Sequence, residues 1–247
     1  MDLEDNDQIA IISDIHANKY ALEKFLKFVE EKSNIILILN LGEFLQIGPH
    51  PKEVAEIILN DARFINILGN NELIISKNLN LIAREDETGH SNWTKQQIGL
   101  NSLTKIKELP TSRILNLNGK KFLMTHLRIY NKDRSNLWEF PLLYSKKSLS
   151  KFVRDYPKNL KFVLYGHTHH QLYLHWRGRY FINPGSLGCS IHESTISYCV
   201  LEVNGEHFNV NLQNEAYDET RLIEDYYKLE VPDSKFILKY FYQKNNL

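Results

Sequence analysis

Asp14 and His16, Glu43, Asn70, His126, and the pair His167 and His169 are the residues best equipped for chemistry, and each closely follows a short apolar run. The runs are Ile9 to Ser13, Ile35 to Gly42, Phe64 to Gly69, Lys121 to Thr125 and Phe162 to Tyr165. Carboxylate, imidazole and carboxamide groups are the donors a first-row divalent cation takes from a protein. In open α/β sheets, ligands gather beyond the carboxyl ends of the strands, where several loops converge. Asp14 and His16, two apart in an extended turn, can aim at one ion; His167 and His169 can do likewise or split between neighbouring ions. Taken singly, each residue has a structural reading. His126 suits a satisfied core histidine, Asn70 a turn beside Gly69, Asp14 a helix N-cap, and Glu43 a solvated loop carboxylate. One metal site accounts for all of them together.

The elements that must carry these residues are legible in the hydrophobic pattern. Ile9 to Ser13 reads as a buried strand, and Leu22, Phe25, Leu26 and Val29 follow at helical spacing. Ile35 to Leu41 is a second strand, and Pro51 suits the first turn of a helix through Val54, Ile57 and Ile58, with Glu53 near its positive end. Phe64 to Leu68 completes a β-α-β-α-β opening, which implies a parallel sheet with right-handed crossovers. Ser76 to Asn92 is polar and weakly patterned and reads as a mobile insertion, followed by a helix from Trp93 to Glu108 that Pro110 stops. Arg113 to Leu117 and Lys121 to Thr125 flank the hairpin signal Asn118-Gly119. Leu127 to Tyr144 is irregular, and a helix through Leu149, Phe152 and Val153 leads to the strand at Phe162 to Tyr165.

Further strands are expected near Leu172 to Trp176, Tyr180 to Ile182, Ile196 to Val203 and His207 to Leu212. Two packed mixed β-sheets flanked by helices would bury both halves of this α/β pattern. One domain is expected over residues 1–217. The helical tail over 218–247, with Tyr226, Tyr227, Phe236, Tyr240 and Phe241, should pack on that domain or on a partner, so oligomerisation would run through it.

Composition excludes several classes. The 30 basic and 30 acidic residues cancel, so no global field would hold nucleic acid non-specifically or an anionic membrane surface. No apolar stretch approaches the ~20 residues of a membrane span. The start, Met1-Asp2-Leu3-Glu4-Asp5, is acidic, the reverse of a signal peptide, and a cytoplasmic location is expected. Cys189 and Cys199 have neither disulfide-framework nor zinc-motif spacing and read as buried free thiols.

Six pieces, in order, carry a family resemblance: Ser13-Asp14-Ile15-His16-Ala17-Asn18; Gly42-Glu43 with Gly48-Pro49; Gly69-Asn70-Asn71-Glu72; Thr125-His126; Gly166-His167-Thr168-His169; and Asn183-Pro184-Gly185-Ser186. From Ile9 to Leu212 the chain resembles the calcineurin-like metallophosphoesterase superfamily, in its compact prokaryotic branch. The resemblance implies a four-layer α-β-β-α sandwich and two divalent cations, manganese or iron first, with zinc, nickel or cobalt compatible. Asp14, His16 and His169 would hold one ion, Asn70, His126 and His167 the other, and Glu43 would bridge them. Catalytic parts would fall to Asp14, Asn70 and the Asn71 position. The implied reaction is hydrolysis of a small phosphomonoester or phosphodiester, a nucleotide among the candidates, by a metal-bridging hydroxide. Asn18 would orient the His16 loop or touch phosphate, and Arg128 is a second candidate substrate contact.

Two departures from the family pattern stand out. Glu43 replaces the usual bridging Asp, which displaces the carboxylate by about 1.5 Å. Asn71 stands where many members carry histidine, and a carboxamide cannot yield a proton at neutral pH. Loss of general-acid help would bias the enzyme toward good leaving groups. His50, His90 and His192 are the loop imidazoles available to compensate. These departures also support the alternative of a catalytically decayed metal- or phosphate-binding interaction module.

Overall fold

The computed structural model describes residues 1–77, 87–126, 153, 156–192, 194–205 and 207–244. Its strands are β1 (Gln8–Ile12), β2 (Ile35–Asn40), β3 (Phe64–Asn66), β4 (Ser112–Leu117), β5 (Lys120–Thr125), β6 (Phe162–Leu164), β7 (Gln171–Trp176), β8 (Arg179–Pro184), β9 (Thr195–Asn204) and β10 (His207–Ala216). The helices are α1 (Lys19–Glu30), α2 (Pro51–Asn60), α3 (Asn70–Lys77), α4 (Glu87–Glu108), α5 (Thr220–Lys228) and α6 (Ser234–Phe241).

The strands form two mixed five-stranded sheets, ordered β10-β9-β1-β2-β3 and β4-β5-β6-β8-β7. In the first, β1, β2 and β3 run parallel and β9 and β10 are antiparallel additions. In the second, β5, β6 and β8 run parallel between the antiparallel edges β4 and β7.

Side chains alternate across a strand, and β1 is buried on both faces, which explains its unbroken apolar run. Ile9 and Ile11 face the space between the sheets, where they join Leu37, Leu39, Phe122, Met124, Phe162 and Leu164. Ala10 and Ile12 face outward onto α1 and α2 through Ala21, Leu22, Phe25, Val54 and Ile58. The outer face of the second sheet packs Leu123, Val163 and Phe181 on Val153 and Tyr156. The architecture expected from the sequence, two packed mixed sheets with helices outside, is the one observed. Cys189 and Cys199 are free and buried.

Several boundaries differ from expectation. Residues Glu87 to Asn92, read as part of a mobile insertion, belong to α4, which also breaks at Gly99 (φ 71°, ψ 173°). Burial of the polar side chains His90 and Ser91 explains the miss, because apolar periodicity does not register them. The third strand stops at Asn66, two residues early. The irregular stretch Leu127 to Tyr144, and the helix expected through Leu149 and Phe152, lie outside the described residues. Among the described residues, no helix is long and apolar enough to cross a membrane.

Candidate metal centre

The parallel strands of both sheets deliver their following loops to one end of the sandwich. Asp14 and His16 follow β1, Glu43 follows β2, Asn70 opens α3 after β3, His126 follows β5, and His167 and His169 follow β6. Asp14, His16, Glu43, Asn70, Asn71, His167 and His169 line a cavity of about 580 Å³. His126 sits buried beside them.

Asp14 Oδ1 is the focus of the cluster. It lies 3.4 Å from His169 Nε2, 3.7 Å from His16 Nε2 and 3.9 Å from His126 Nε2. The ligand atoms of Asp14, His16 and His169 all lie within 4.8 Å of one another. Next to them, His126 Nε2 is 3.2 Å from His167 Nδ1 and 3.9 Å from Glu43 Oε1.

Backbone conformation at the site is unusual. Asp14, His16, Glu43, His167 and His169 all sit at positive φ, between 48° and 69°. Such strain costs on the order of 1–3 kcal/mol per residue and persists only where surroundings hold it. The holding bonds are visible. The Asp14 N–H donates to Gly42 O at 3.0 Å, and the Asp14 carbonyl accepts from Gly188 N–H at 3.1 Å and from the Ser186 hydroxyl at 2.7 Å. The His167 N–H donates to Asp14 Oδ2 at 2.9 Å, which fixes that carboxylate's orientation. Gly166 is needed for close approach, since a Cβ there would lie 2.0 Å from Ser13 Oγ and 2.9 Å from Asp14 Oδ2.

The donor set fits divalent cations on three counts. Among the described residues, Asp14 Oδ1 and Asn70 Oδ1 are buried without a hydrogen bond, an expensive state for an acceptor unless a cation faces it. Imidazole nitrogens converge in pairs, with His16 Nε2 only 3.0 Å from His169 Nε2. His126 Nδ1 lies 2.8 Å from the Leu41 carbonyl, which assigns the ring proton there and leaves Nε2 as a lone pair aimed inward.

Electrostatics agree with that fit. Burial, reinforced by the His169 charge, pushes His16 down to about 3, and burial likewise holds His126 and His167 below the usual imidazole range. These rings are therefore neutral, the form that ligates metals. For Asp14, burial would raise the pKa, but the charged His169 beside it, the largest opposing influence, holds it well below the carboxylate range. His169 is raised reciprocally, Asp14 outweighing burial. Glu43 is pushed up by burial and then by Glu72, a demand for positive charge that a cation would meet.

Glu43 resolves differently from a simple displaced bridge. Its Oε1 accepts the Asn71 N–H at 2.5 Å, so the longer side chain reaches the first turn of α3 while staying beside His126. The side chain of Asn71 accepts a weak bond from Asn70 Nδ2 at 3.4 Å. Asn18, read as a loop-orienting residue or a phosphate contact, has both groups of its carboxamide bonded within the protein. Its Oδ1 accepts Ala21 N–H as the α1 N-cap, and its Nδ2 donates to Gly188 O and Tyr217 Oη, both at 2.8 Å. That cap role belongs to Asn18 rather than Asp14. Arg128, the other candidate contact, lies outside the described residues.

Of the three loop imidazoles, His90 reaches the cavity wall. His50 is tied to Asp225 at 2.8 Å, and His192 is exposed elsewhere.

Sequence reasoning missed two contributions. Glu72 follows Gly69-Asn70-Asn71 with nothing in the sequence to show its role; it is fully buried and accepts backbone N–H groups from Glu43, Leu45 and Gly69. The tail was read as packing or partner surface, yet Asp233, Phe236, Ile237, Tyr240 and Phe241 form a wall of the same cavity. The nearest signal was Phe236 and Tyr240 at i, i+4, a spacing that core helices share.

Comparison with known proteins identifies the family. Residues 8–206 match the Calcineurin-like phosphoesterase superfamily domain. An uncharacterised protein of Methanocaldococcus jannaschii is 26% identical over 245 residues, covering 91% of this chain and 94% of its own. A metallophosphoesterase from Sphaerobacter thermophilus superposes with a TM-score of 0.73 at 24% identity, covering 93% of this chain and 96% of that one. A hypothetical protein from Pyrococcus horikoshii gives a TM-score of 0.76 at 18% identity, covering 98% and 99%. With its motifs converging on one cavity and four-fifths of its length matched, the chain belongs to the calcineurin-like phosphoesterase superfamily.

Proposed function

We propose that this protein is a binuclear metal-dependent phosphoesterase that hydrolyses a small phosphomonoester or phosphodiester. The observation that carries this reading is Asp14 Oδ1, buried, without a hydrogen bond among the described residues, and within 3.4–3.9 Å of three imidazole nitrogens. Asp14, His16 and His169 would hold one divalent cation, and Asn70, His126 and His167 a second, with Glu43 between them. Bound there, such cations supply Lewis acidity toward a phosphoryl group and lower the pKa of water.

The chain's own contribution is orientation and exclusion. Leu41 O fixes the His126 tautomer, the His167 N–H fixes Asp14, and the Asn71 N–H fixes Glu43. These three ligands are therefore set before substrate arrives, which saves reorganisation. Asn71 can donate a hydrogen bond to a phosphoryl oxygen but has no acidic proton to give. The leaving group then departs without an acid at that position, and esters of acidic alcohols or phenols are the favoured substrates.

The test is turnover of methyl 4-nitrophenyl phosphate by purified protein with manganese, alongside a count of metals per chain. His167→Ala is expected to abolish activity, Glu43→Asp to keep or raise it, and a chelator to remove it reversibly. Equal turnover by wild type and His167→Ala would overturn the assignment. Activity that emerges only in Glu43→Asp would favour a decayed binding module.

A further inference from the structure

The cavity is far larger than a phosphoryl group needs. Its volume of about 580 Å³ falls within the range of pockets for small organic ligands. The polar end holds the Asp14 and Asn70 oxygens. The same cavity has an apolar part of its lining, from Ile74 of α3, Ile191 and the α6 residues Phe236, Ile237, Tyr240 and Phe241.

Helix α6 is amphipathic in a way that leaves two aromatic rings largely outside the buried core. Ile237 and Leu238 are buried and pack with Leu222, Tyr226 and Tyr242. Phe236 and Tyr240 are 49% and 63% exposed, with ring centroids 4.6 Å apart. They form a continuous aromatic surface that the core does not require, facing the same space as the metal-ligand oxygens.

This wall is also fixed to the catalytic loops. The Tyr242 hydroxyl donates to Gly188 O at 3.1 Å, and the Gly188 N–H in turn holds the Asp14 carbonyl. The Cys189 thiol donates to Phe241 O at 3.5 Å, and Gln243 Nε2 donates to Ile191 O at 3.3 Å. From α5, the Tyr226 hydroxyl donates to Ile47 O at 3.0 Å, in the loop that follows Glu43.

We propose that α6 is the specificity wall of the site, and that Phe236 and Tyr240 take a planar aromatic group carried by the phosphoester. The proposal rests on the phosphoesterase reading above and names the substrate class that reading leaves open. Flat rings stack on aromatic faces with a preference over saturated groups of equal size, because their quadrupoles complement each other. An apolar wall anchored beside a phosphate-binding end selects an ester whose organic part is aromatic, with the phosphoryl group fixing its register.

Binding of three non-hydrolysable phosphonates to the manganese-loaded protein, measured by calorimetry, tests this. Phenylphosphonate is expected to bind roughly 10-fold tighter than methylphosphonate and about 3-fold tighter than cyclohexylphosphonate. The double variant Phe236→Leu/Tyr240→Leu keeps apolar area but removes both rings; there the phenyl-to-cyclohexyl ratio should fall to about 1. Both residues are exposed, so Ile237 and Leu238 still anchor the helix, and an unchanged circular dichroism melt will verify folding. A phenyl preference that survives in the variant overturns the proposal. So does equal binding of all three compounds, which leaves the phosphoesterase reading intact. A change of oligomeric state in the variant, with ligand ratios unchanged, would assign the rings to a second copy and overturn it too. Failure of every phosphonate to bind overturns the underlying reading together with the wall.

Discussion

The carboxylate of Glu72 accepts the backbone N–H of Glu43 at 2.9 Å, and through that bond one buried acid positions another. The same oxygen accepts Gly69 N–H at 2.8 Å, while Oε1 accepts Leu45 N–H at 2.9 Å. Glu72 thus joins the loop after β2 to the loop after β3, and both loops carry metal-ligand candidates. Burial pushes its pKa up to about 7, against the three backbone donors that favour the anion.

Glu72→Gln tests this clamp. A carboxamide accepts through one oxygen only, so its NH₂ must face a backbone N–H that has lost its partner. Leaving one buried donor unsatisfied costs about 1–3 kcal/mol. Denaturant unfolding should show a loss in that range, and metal affinity should fall because Glu43 and Asn70 are no longer held in register. Stability and metal content both at wild-type level would sink the clamp.

The strand-end pattern was legible because β1 and β2 are buried on both faces, so their runs stand out in the sequence, and their loops must then converge. Gly166 was legible as part of a motif, but its steric reason appears only where β6 passes the loop after β1. The start of α4 was hidden because His90 and Ser91 are polar yet buried. Asn18 is ambiguous for another reason: orienting the His16 loop and touching phosphate ask for the same carboxamide, and its bonds to Ala21, Gly188 and Tyr217 are tertiary information. The α6 wall was invisible since Phe236 and Tyr240 have core spacing, and exposure is a property of the fold.

Gly166→Ala should be among the most damaging single changes in the chain. Its Cβ would sit 2.0 Å from Ser13 Oγ and 2.9 Å from Asp14 Oδ2. The nearest atoms belong to short side chains on a loop already at positive φ, so neither can swing away cheaply. Overpacking of this kind costs typically about 1–3 kcal/mol, and the displaced Asp14 should cost metal binding as well. Gly119, in the β4–β5 turn, is the control: an added Cβ meets no atom within 4 Å, although φ is +70°. Metal content in Gly119→Ala should remain at the wild-type level while Gly166→Ala loses it; equal metal content in both would refute the crowding argument.

His90 should make stability depend on pH in a defined window. The ring is buried, stacks on Trp93 at 5.6 Å, and neither nitrogen finds a hydrogen-bond partner. Burial lowers its pKa from 6.5 to about 4; the nearby Pro232 carbonyl offsets this only in part and lies outside hydrogen-bond geometry. Between those two values the unfolded chain binds a proton that the folded chain refuses. Stability is therefore fully present above about pH 6.5 and drains away as pH falls toward 4. At about 1.4 kcal/mol per unit, the loss amounts to roughly 3 kcal/mol across the window. His90→Phe keeps the stacking surface and removes the titration. Urea midpoints measured from pH 7.5 to 4.5 should fall faster for wild type than for the variant, with the gap opening below pH 6.5. Parallel curves would show that His90 stays neutral in both states or finds a proton acceptor when folded.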